Sequence, residues 1–406
     1  MSAQIPRGFK DVLPDEAVVR ETIADSILEV FKLWGYLPVE TPTLETMSLF
    51  QAESYTQNAT FKLFDSDGEL LVLRPDVTLP IARLVGSRIG TLATGEALRL
   101  RYLETVFREE RLYETKARSQ TQLGVECIGL GGVVSDVEML LLMAESLDAA
   151  KINDYTIALC TVNVLQAILD ACVSNAPNEL ESTFAVTAAT ANTAKMTWKQ
   201  AVLTTWHKSD LVGVDTLMRH PAVNVKYAQA ISSLARIQGA GDAIDDCRGL
   251  IDDIAMINES SSEHIQRSLD SLDSMEETFQ LACSLRPNTD WLVDFSLMSS
   301  FDYYTGLVFS AFAPQAGYPL GSGGRYDHTI ARFGPPAKAI GFAFNLEQLV
   351  TSLLDERSKG SKPPPRVSPH KVLVDPANPA EAFRQAELLR AQGQQAVIED
   401  VLGRRE

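Results

Sequence analysis

The stretch VFREERLYETKARSQTQLGVE, residues 106–126, decides how the rest of the chain is read. It closes one alternating segment, LRLRYLETVFREE, and opens another, SQTQLGVECIGL, with a charged connection over 109–118. That pattern predicts two strands joined by a solvated loop. Taken alone, Arg108, Arg111, Lys116 and Arg118 among Glu109, Glu110 and Glu114 describe a hairpin tip. Exposed ion pairs of that kind are worth little. Gln122 and Glu126 carry more information, because residues four apart on a strand project to one face.

Toward the amino terminus, KLFDSDGELLVLR reads as a hairpin turning at Asp67-Gly68, and RPDVTLPIARLVG starts a helix. In isolation, Arg74 and Asp76 around Pro75 read as a surface turn. GYLPVETPTLE, residues 35–45, is strand-like but broken by Pro38 and Pro42, which confines it to an edge or an interface. A helix precedes it: Pro14-Asp15 offers a start, Ile23, Ile27, Phe31 and Trp34 follow at helical spacing, and Gly35 supplies the stop.

Toward the carboxy terminus, SDVEMLLLMAESLDAAK predicts a helix over about 134–150. The stretch 171–288 is rich in Ala, Ser and Asp and poor in aromatics, the profile of an inserted helical domain between core segments 1–170 and 289–358. WLVDF and FDYYTGLVFSAFAP return to strand composition, GYPLGSGGRYD reads as a Gly-rich turn, and AIGFAFNLEQLVTSLLDE as strand then helix. A Pro-rich linker spans 359–370. Residues 371–406 read as strand, helix, strand, the opening of a parallel unit but too short for a full α/β domain.

Composition excludes several classes. The 406 residues are 45% hydrophobic and 22% charged, ordinary for a globular protein. No apolar run is long enough for a membrane span and no secretory leader is visible, so the expected compartment is the cytoplasm. Five scattered cysteines offer neither a disulfide framework nor a zinc site, and no metal or other cofactor is expected. A net charge of −17 argues against broad attraction to nucleic acid.

In order, spacing and wording, these segments resemble the class II aminoacyl-tRNA synthetase core, and within it the histidyl-tRNA synthetases. GFKDVLPDEA resembles that family's opening, GYLPVETPTLE its first class motif, VFREE…QTQLGVE its second, FDYYTGLVF and GGRYD its histidine-specific segments, and GFAFNLEQL its third. The likeness covers roughly residues 5–355. It implies an α+β fold: an antiparallel sheet flanked by helices, with the inserted helical region and a short C-terminal α/β remnant.

The resemblance also implies a histidine pocket. Asp76 and Thr78 take the positions that hold the ammonium group, Gln122 the glutamine at the amino acid's polar end, and Glu126 with Tyr303 the pair that grips the imidazole, with Tyr304 lining the same space. Such groups can satisfy both ring nitrogens and pair with the ammonium. Activation of an amino acid further needs cations around the α-phosphate of ATP. Arg108 keeps the second-motif arginine, and Arg108, Arg111 and Arg118 are candidates for a residual anion or nucleotide site. The histidine-specific arginine position is Ser299 and the third-motif arginine position is Gln348, so two permanent cations are missing.

A family member with the pocket, without these arginines and with a short tail resembles the branch that serves as regulatory subunits of ATP phosphoribosyltransferase. The expected partners are then L-histidine, a short-form catalytic subunit and a second copy of the chain paired through the first motif; tRNA is not expected. Two other readings stay open: an atypical histidyl-tRNA synthetase, and another synthetase-derived module that senses tRNA or histidine.

Overall fold

The computed structural model describes residues 4–50, 60–92, 97–109, 117–187, 193–255, 257, 262–297, 304–314, 316–358, 370–374 and 379–400. Arg111, Ser299 and Tyr303 lie outside the described residues. The chain divides into two compact units, Met1–Leu353 and Leu354–Glu406.

Helix α1 (Pro14–Leu33) has proline in its first turn and buries Ile23, Ile27, Val30 and Phe31, the stripe its spacing predicts. Gly35, at φ +83°, ends it in a conformation that a Cβ would strain. Strand β1 (Leu37–Pro38) follows and pairs in parallel with β5 (Leu98–Phe107), proline sitting at the sheet edge as expected. Strands β2 (Leu44–Thr46), β3 (Lys62–Phe64) and β4 (Leu70–Leu73) form a small antiparallel sheet whose hairpin turns at Gly68, φ +82°. It leads into α2 (Thr78–Leu92).

The predicted pair around residue 110 is β5 and β6 (Ser119–Ile128), antiparallel in a register that sets Phe107 against Ser119. Then come α3 (Val133–Ala149), β7 (Thr156–Thr161), α4 (Val162–Asn175) and α5 (Pro177–Leu180). The helix-rich stretch adds α6 (Trp198–Trp206), α7 (Leu211–Leu217), α8 (Val225–Leu234), α9 (Asp242–Ala255) and α10 (Ser262–Leu285). It also holds three strands that composition conceals: the hairpin β8 (Phe184–Thr187) and β9 (Thr193–Met196), and β10 (Gln238–Gly239). Its buried residues join one hydrophobic core with those of the sheet; Trp198, Tyr227 and Ile251 belong to the same cluster as Phe31, Leu123 and Phe342.

Strands β11 (Asp290–Asp294), β12 (Leu307–Phe312), β13 (Gly321–Arg325) and β14 (Ala339–Asn345) complete the main sheet, and α11 (Leu346–Ser358) follows. Among the described residues nine strands form that sheet, in the order β1-β5-β6-β14-β13-β12-β7-β11-β10. Its centre is antiparallel, as expected, while β1 with β5 and β7 with β11 are parallel pairs near its two ends.

GSGGR is not a turn but strand β13, hydrogen-bonded on both sides near the middle of the sheet. Its glycines serve close approach rather than reversal: a Cβ at Gly323 would lie 2.3 Å from the Gly341 carbonyl oxygen, and one at Gly324 would lie 2.7 Å from the Tyr304 ring.

In the second unit, β15 (His370–Val374) and β16 (Ala396–Asp400) pair in parallel, joined by α12 (Pro379–Ala391), the strand–helix–strand order read from the sequence. Val372, Ala382 and Ala386 make its small core. Among the described residues no helix is long and apolar enough to cross a membrane.

Candidate ligand site

The site is built where β6, β13 and β14 lie side by side beneath the start of α2. Alternation along β6 brings Gln122 and Glu126 to one cavity of about 390 Å³. Glu126 sits opposite Gly341 of β14 in the ladder. A Cβ at position 341 would lie 1.9 Å from Glu126 Oε2, so only glycine leaves room for the carboxylate. One step along the same face, Tyr102 of β5 lies over Gly124, where a Cβ would come within 2.2 Å of the ring.

Helix α2 supplies the opposite wall. Asp76 Oδ1 accepts from Leu79 N at 3.0 Å and caps the helix. Arg74 and Asp76 are buried, 2% and 4% exposed, so the surface-turn reading of this segment gives way. Arg74 is instead a structural cation: it donates to the Thr105 carbonyl at 2.9 Å and the Thr41 carbonyl at 2.7 Å, and pairs with Glu104.

Glu126 is 1% exposed, and each of its oxygens has a hydroxyl donor. Thr78 Oγ1 donates to Oε1 at 2.8 Å, and the Tyr326 hydroxyl donates to Oε2. Burial pushes the carboxyl up to about 8; the Tyr326 and Thr78 hydrogen bonds oppose this, and the charge of Asp76 adds to it. The Tyr102 hydroxyl is raised well above its ordinary value by burial and then by the charges of Glu126 and Asp76. Tyr326 is raised by burial and then by Glu126. A carboxyl of this kind can give or take a proton near neutrality.

The far end is different. Arg108 lines the cavity and donates through Nε to the Pro75 carbonyl at 3.1 Å. Glu347 lines it too, tied to Arg20 at 2.9 Å and to Thr121 N at 3.0 Å. Gln348 stands beside it in the first turn of α11, its N–H accepted by Asn345 Oδ1 at 3.1 Å.

Thus Asp76, Thr78, Gln122, Glu126 and Tyr304 all line one cavity, with Arg108 and Gln348. Arg118 is elsewhere: its guanidinium lies 4.4 Å from the Phe61 ring centre and 5.9 Å from that of Phe9, and its N–H donates to the Gly8 carbonyl at 2.8 Å. There it fastens the amino-terminal segment. The sequence reading missed Tyr326 and Tyr102. Tyr326 had a usable signal, since it continues the alternation of GSGGRY beyond the glycines; Tyr102 had none apart from its register.

Among the described residues no group of three or more His, Cys, Asp or Glu is placed to hold a metal ion. Cys127, Cys160, Cys172 and Cys247 are buried thiols, Cys283 is partly buried, and burial raises all five in pKa.

Residues 8–349 match the histidyl-tRNA synthetase family model. The chain is 32% identical over 401 residues to an ATP phosphoribosyltransferase regulatory subunit from Moorella thermoacetica, covering 98% of this chain and 92% of the relative. It is 30% identical over 404 residues to one from Halalkalibacterium halodurans, covering 98% and 91%. A crystal structure of an ATP phosphoribosyltransferase regulatory subunit/histidyl-tRNA synthetase from Bacillus halodurans superposes with a TM-score of 0.80 at 28% identity, covering 100% of this chain and 95% of that one. The histidyl-tRNA synthetase of Nostoc shares the fold, with a TM-score of 0.73 at 19% identity over 100% of this chain and 87% of the other.

Proposed function

The chain belongs to the histidyl-tRNA synthetase family, among relatives that are ATP phosphoribosyltransferase regulatory subunits, and from that premise we propose that it is a non-catalytic regulatory subunit which binds free L-histidine. The observation that carries the reading is one cavity holding Asp76, Thr78, Gln122, Glu126, Tyr304 and Arg108, with a glutamine at position 348. Asp76 faces the ammonium, Arg108 the carboxylate, and Glu126 an imidazole nitrogen; Tyr303 completes the grip on the ring. A site of buried polar groups rejects analogues that would leave them unpaired.

The same cavity is poorly equipped for adenylation. Ser299 and Gln348 take arginine positions, and each lost cation at such a centre costs a few kcal/mol of transition-state stabilisation. Regulation then follows as a population shift: histidine binds one quaternary arrangement with the short catalytic subunit better than another and holds that subunit in a less active state. Two copies pair through the first motif. In support, Leu37 and Leu44 there are 62% and 41% exposed, apolar side chains that a partner would cover.

Calorimetric titration of the purified chain with histidine tests this reading. Saturable binding without ATP is expected, together with co-purification of a short catalytic subunit whose turnover then responds to histidine. Robust histidine-dependent ATP–pyrophosphate exchange would instead identify an atypical synthetase.

A further inference from the structure

The strands that floor the histidine cavity have a reverse side. Tyr304 and Tyr326 face the front, while their chain neighbours Thr305 and Arg325 face the back. A second cavity of about 470 Å³ opens there, walled by the starts of α3 and α4, one flank of α10, and the ends of β12, β13 and β14 nearest these residues.

Its charges are already matched. Arg325 donates to Asp136, to Ser135 Oγ at 2.6 Å and to Asp327 at 3.1 Å. Asp327 also takes Lys338 at 3.0 Å, and Asp170 takes Lys199 and, at 3.4 Å, Arg267. The remaining lining carboxylate, Asp270, has the Gln266 amide as its partner, at 2.7 Å, rather than a cation. Among the described residues, an anion entering this space would meet Lys and Arg side chains already paired, one carboxylate without a counter-ion, and the exposed imidazole of His328.

Besides His328, what remains uncommitted is neutral. Thr161, Asn163, Gln166 and Ser271 line the cavity, and none of their side chains has a hydrogen-bond partner among the described residues. Thr161 is the most telling of these. It is 5% exposed and sits at the N-cap of α4, yet its hydroxyl makes no capping bond. A threonine there ordinarily accepts from the first turn; here the hydroxyl oxygen is left open to the cavity. Beside it, the positive end of the 14-residue helix favours an oxygen lone pair. Water satisfies any one of these groups singly. Two hydroxyls and two amides converging on a space of ligand size suit a molecule that both donates and accepts at several points.

We propose that this reverse cavity binds a neutral, hydroxyl-rich small molecule of sugar size, either a free pentose or the ribose of a nucleoside. The site is separate from the histidine cavity, and the proposal stands whatever fills that one.

The test is calorimetry on the full chain with three probes: D-ribose, adenosine and inorganic phosphate. Saturable binding of ribose or adenosine is expected, and none of phosphate. Tighter binding of adenosine assigns the nucleoside; equal binding assigns the sugar alone. Thr161→Val combined with Asn163→Ala should weaken binding at least tenfold while the thermal melt stays cooperative. Gln166→Ala, at a half-buried position on the same wall, gives a second readout if that pair fails to fold. Absence of saturable binding by both polyols, binding unchanged in folded variants, or preference for phosphate would overturn the proposal.

Discussion

At one end of the front cavity, Glu126 is 1% exposed, bonded through both oxygens, and fitted against a glycine that nothing larger can replace. At the other end, Glu347 is tied to Arg20, Gln348 is neutral, and Arg108 is the cation that lines the wall. Strand β6 serves both ends, carrying Glu126 at one and Thr121 at the other, while α1 and α11 supply Arg20 and Glu347 only to the second. Recognition of a polar ring needs satisfied, desolvated groups, whereas activation needs surplus positive charge. Among the described residues, this cavity has the first in quantity and Arg108 as its lining cation.

Glu126→Ala is the hardest blow to that contrast. It should lower histidine affinity at least a hundredfold by calorimetry, roughly 2.7 kcal/mol, because Thr78 and Tyr326 then lose their acceptor as well. Retained activation of the catalytic partner by this variant would separate the pocket from the fold; simultaneous loss of both would show that Glu126 holds the sheet together.

The raised carboxyl gives a second handle. Between the ordinary carboxylate range and about 8, the folded chain keeps a proton on Glu126 that the unfolded chain releases. Stability without ligand should therefore fall as pH rises through that window, by at most about 1.4 kcal/mol per pH unit from this group, and level off above it. Urea midpoints of wild type against Glu126→Gln from pH 5 to 9 isolate the effect. Parallel curves would mean that the two hydroxyl donors outweigh burial.

Tyr326→Phe removes one of those donors and keeps the ring. A five- to tenfold loss in histidine affinity is expected, about 1 kcal/mol, the usual net value of one buried hydrogen bond. Smallest is Arg118→Ala. Its guanidinium stacks on Phe61 and lies outside the cavity. It should cost under about 1 kcal/mol of stability and raise amide exchange over residues 7–11, leaving histidine affinity within twofold. A large loss of affinity instead would place Arg118 among the binding groups after all.

Much of this was legible in the sequence where pattern and chemistry agreed. The β5–β6 pair, α1, α2, α3, the β14–α11 junction and the terminal strand–helix–strand all follow periodicity and stop signals. Glu126 and Gln122 declared a shared face by spacing alone. Failures came where one residue type serves two ends. Glycine marks turns and also close contacts, so β13 read as a loop. Proline beside charged residues reads as surface, yet Arg74 is buried because Glu104 and Thr105 of β5 and Thr41 ahead of β2 converge on it with oxygen acceptors. Residues 171–288, which composition sets apart, bury apolar side chains in the same cluster as those of the sheet.

The fit of Glu126 against Gly341 has a consequence for how such a chain can diverge. A Cβ at 341 would meet the Glu126 carboxylate at 1.9 Å and the Val125 carbonyl oxygen of the neighbouring strand at 2.4 Å, so that position is closed whether or not the carboxylate remains. Position 126 is open to shortening, since a smaller side chain leaves 341 undisturbed. Drift at this pair therefore has one outlet: the carboxylate can go while the glycine stays. A lineage abandoning its ligand would pass through chains with a small residue at 126 and glycine still at 341, and a larger residue at 341 should not be found among folded members.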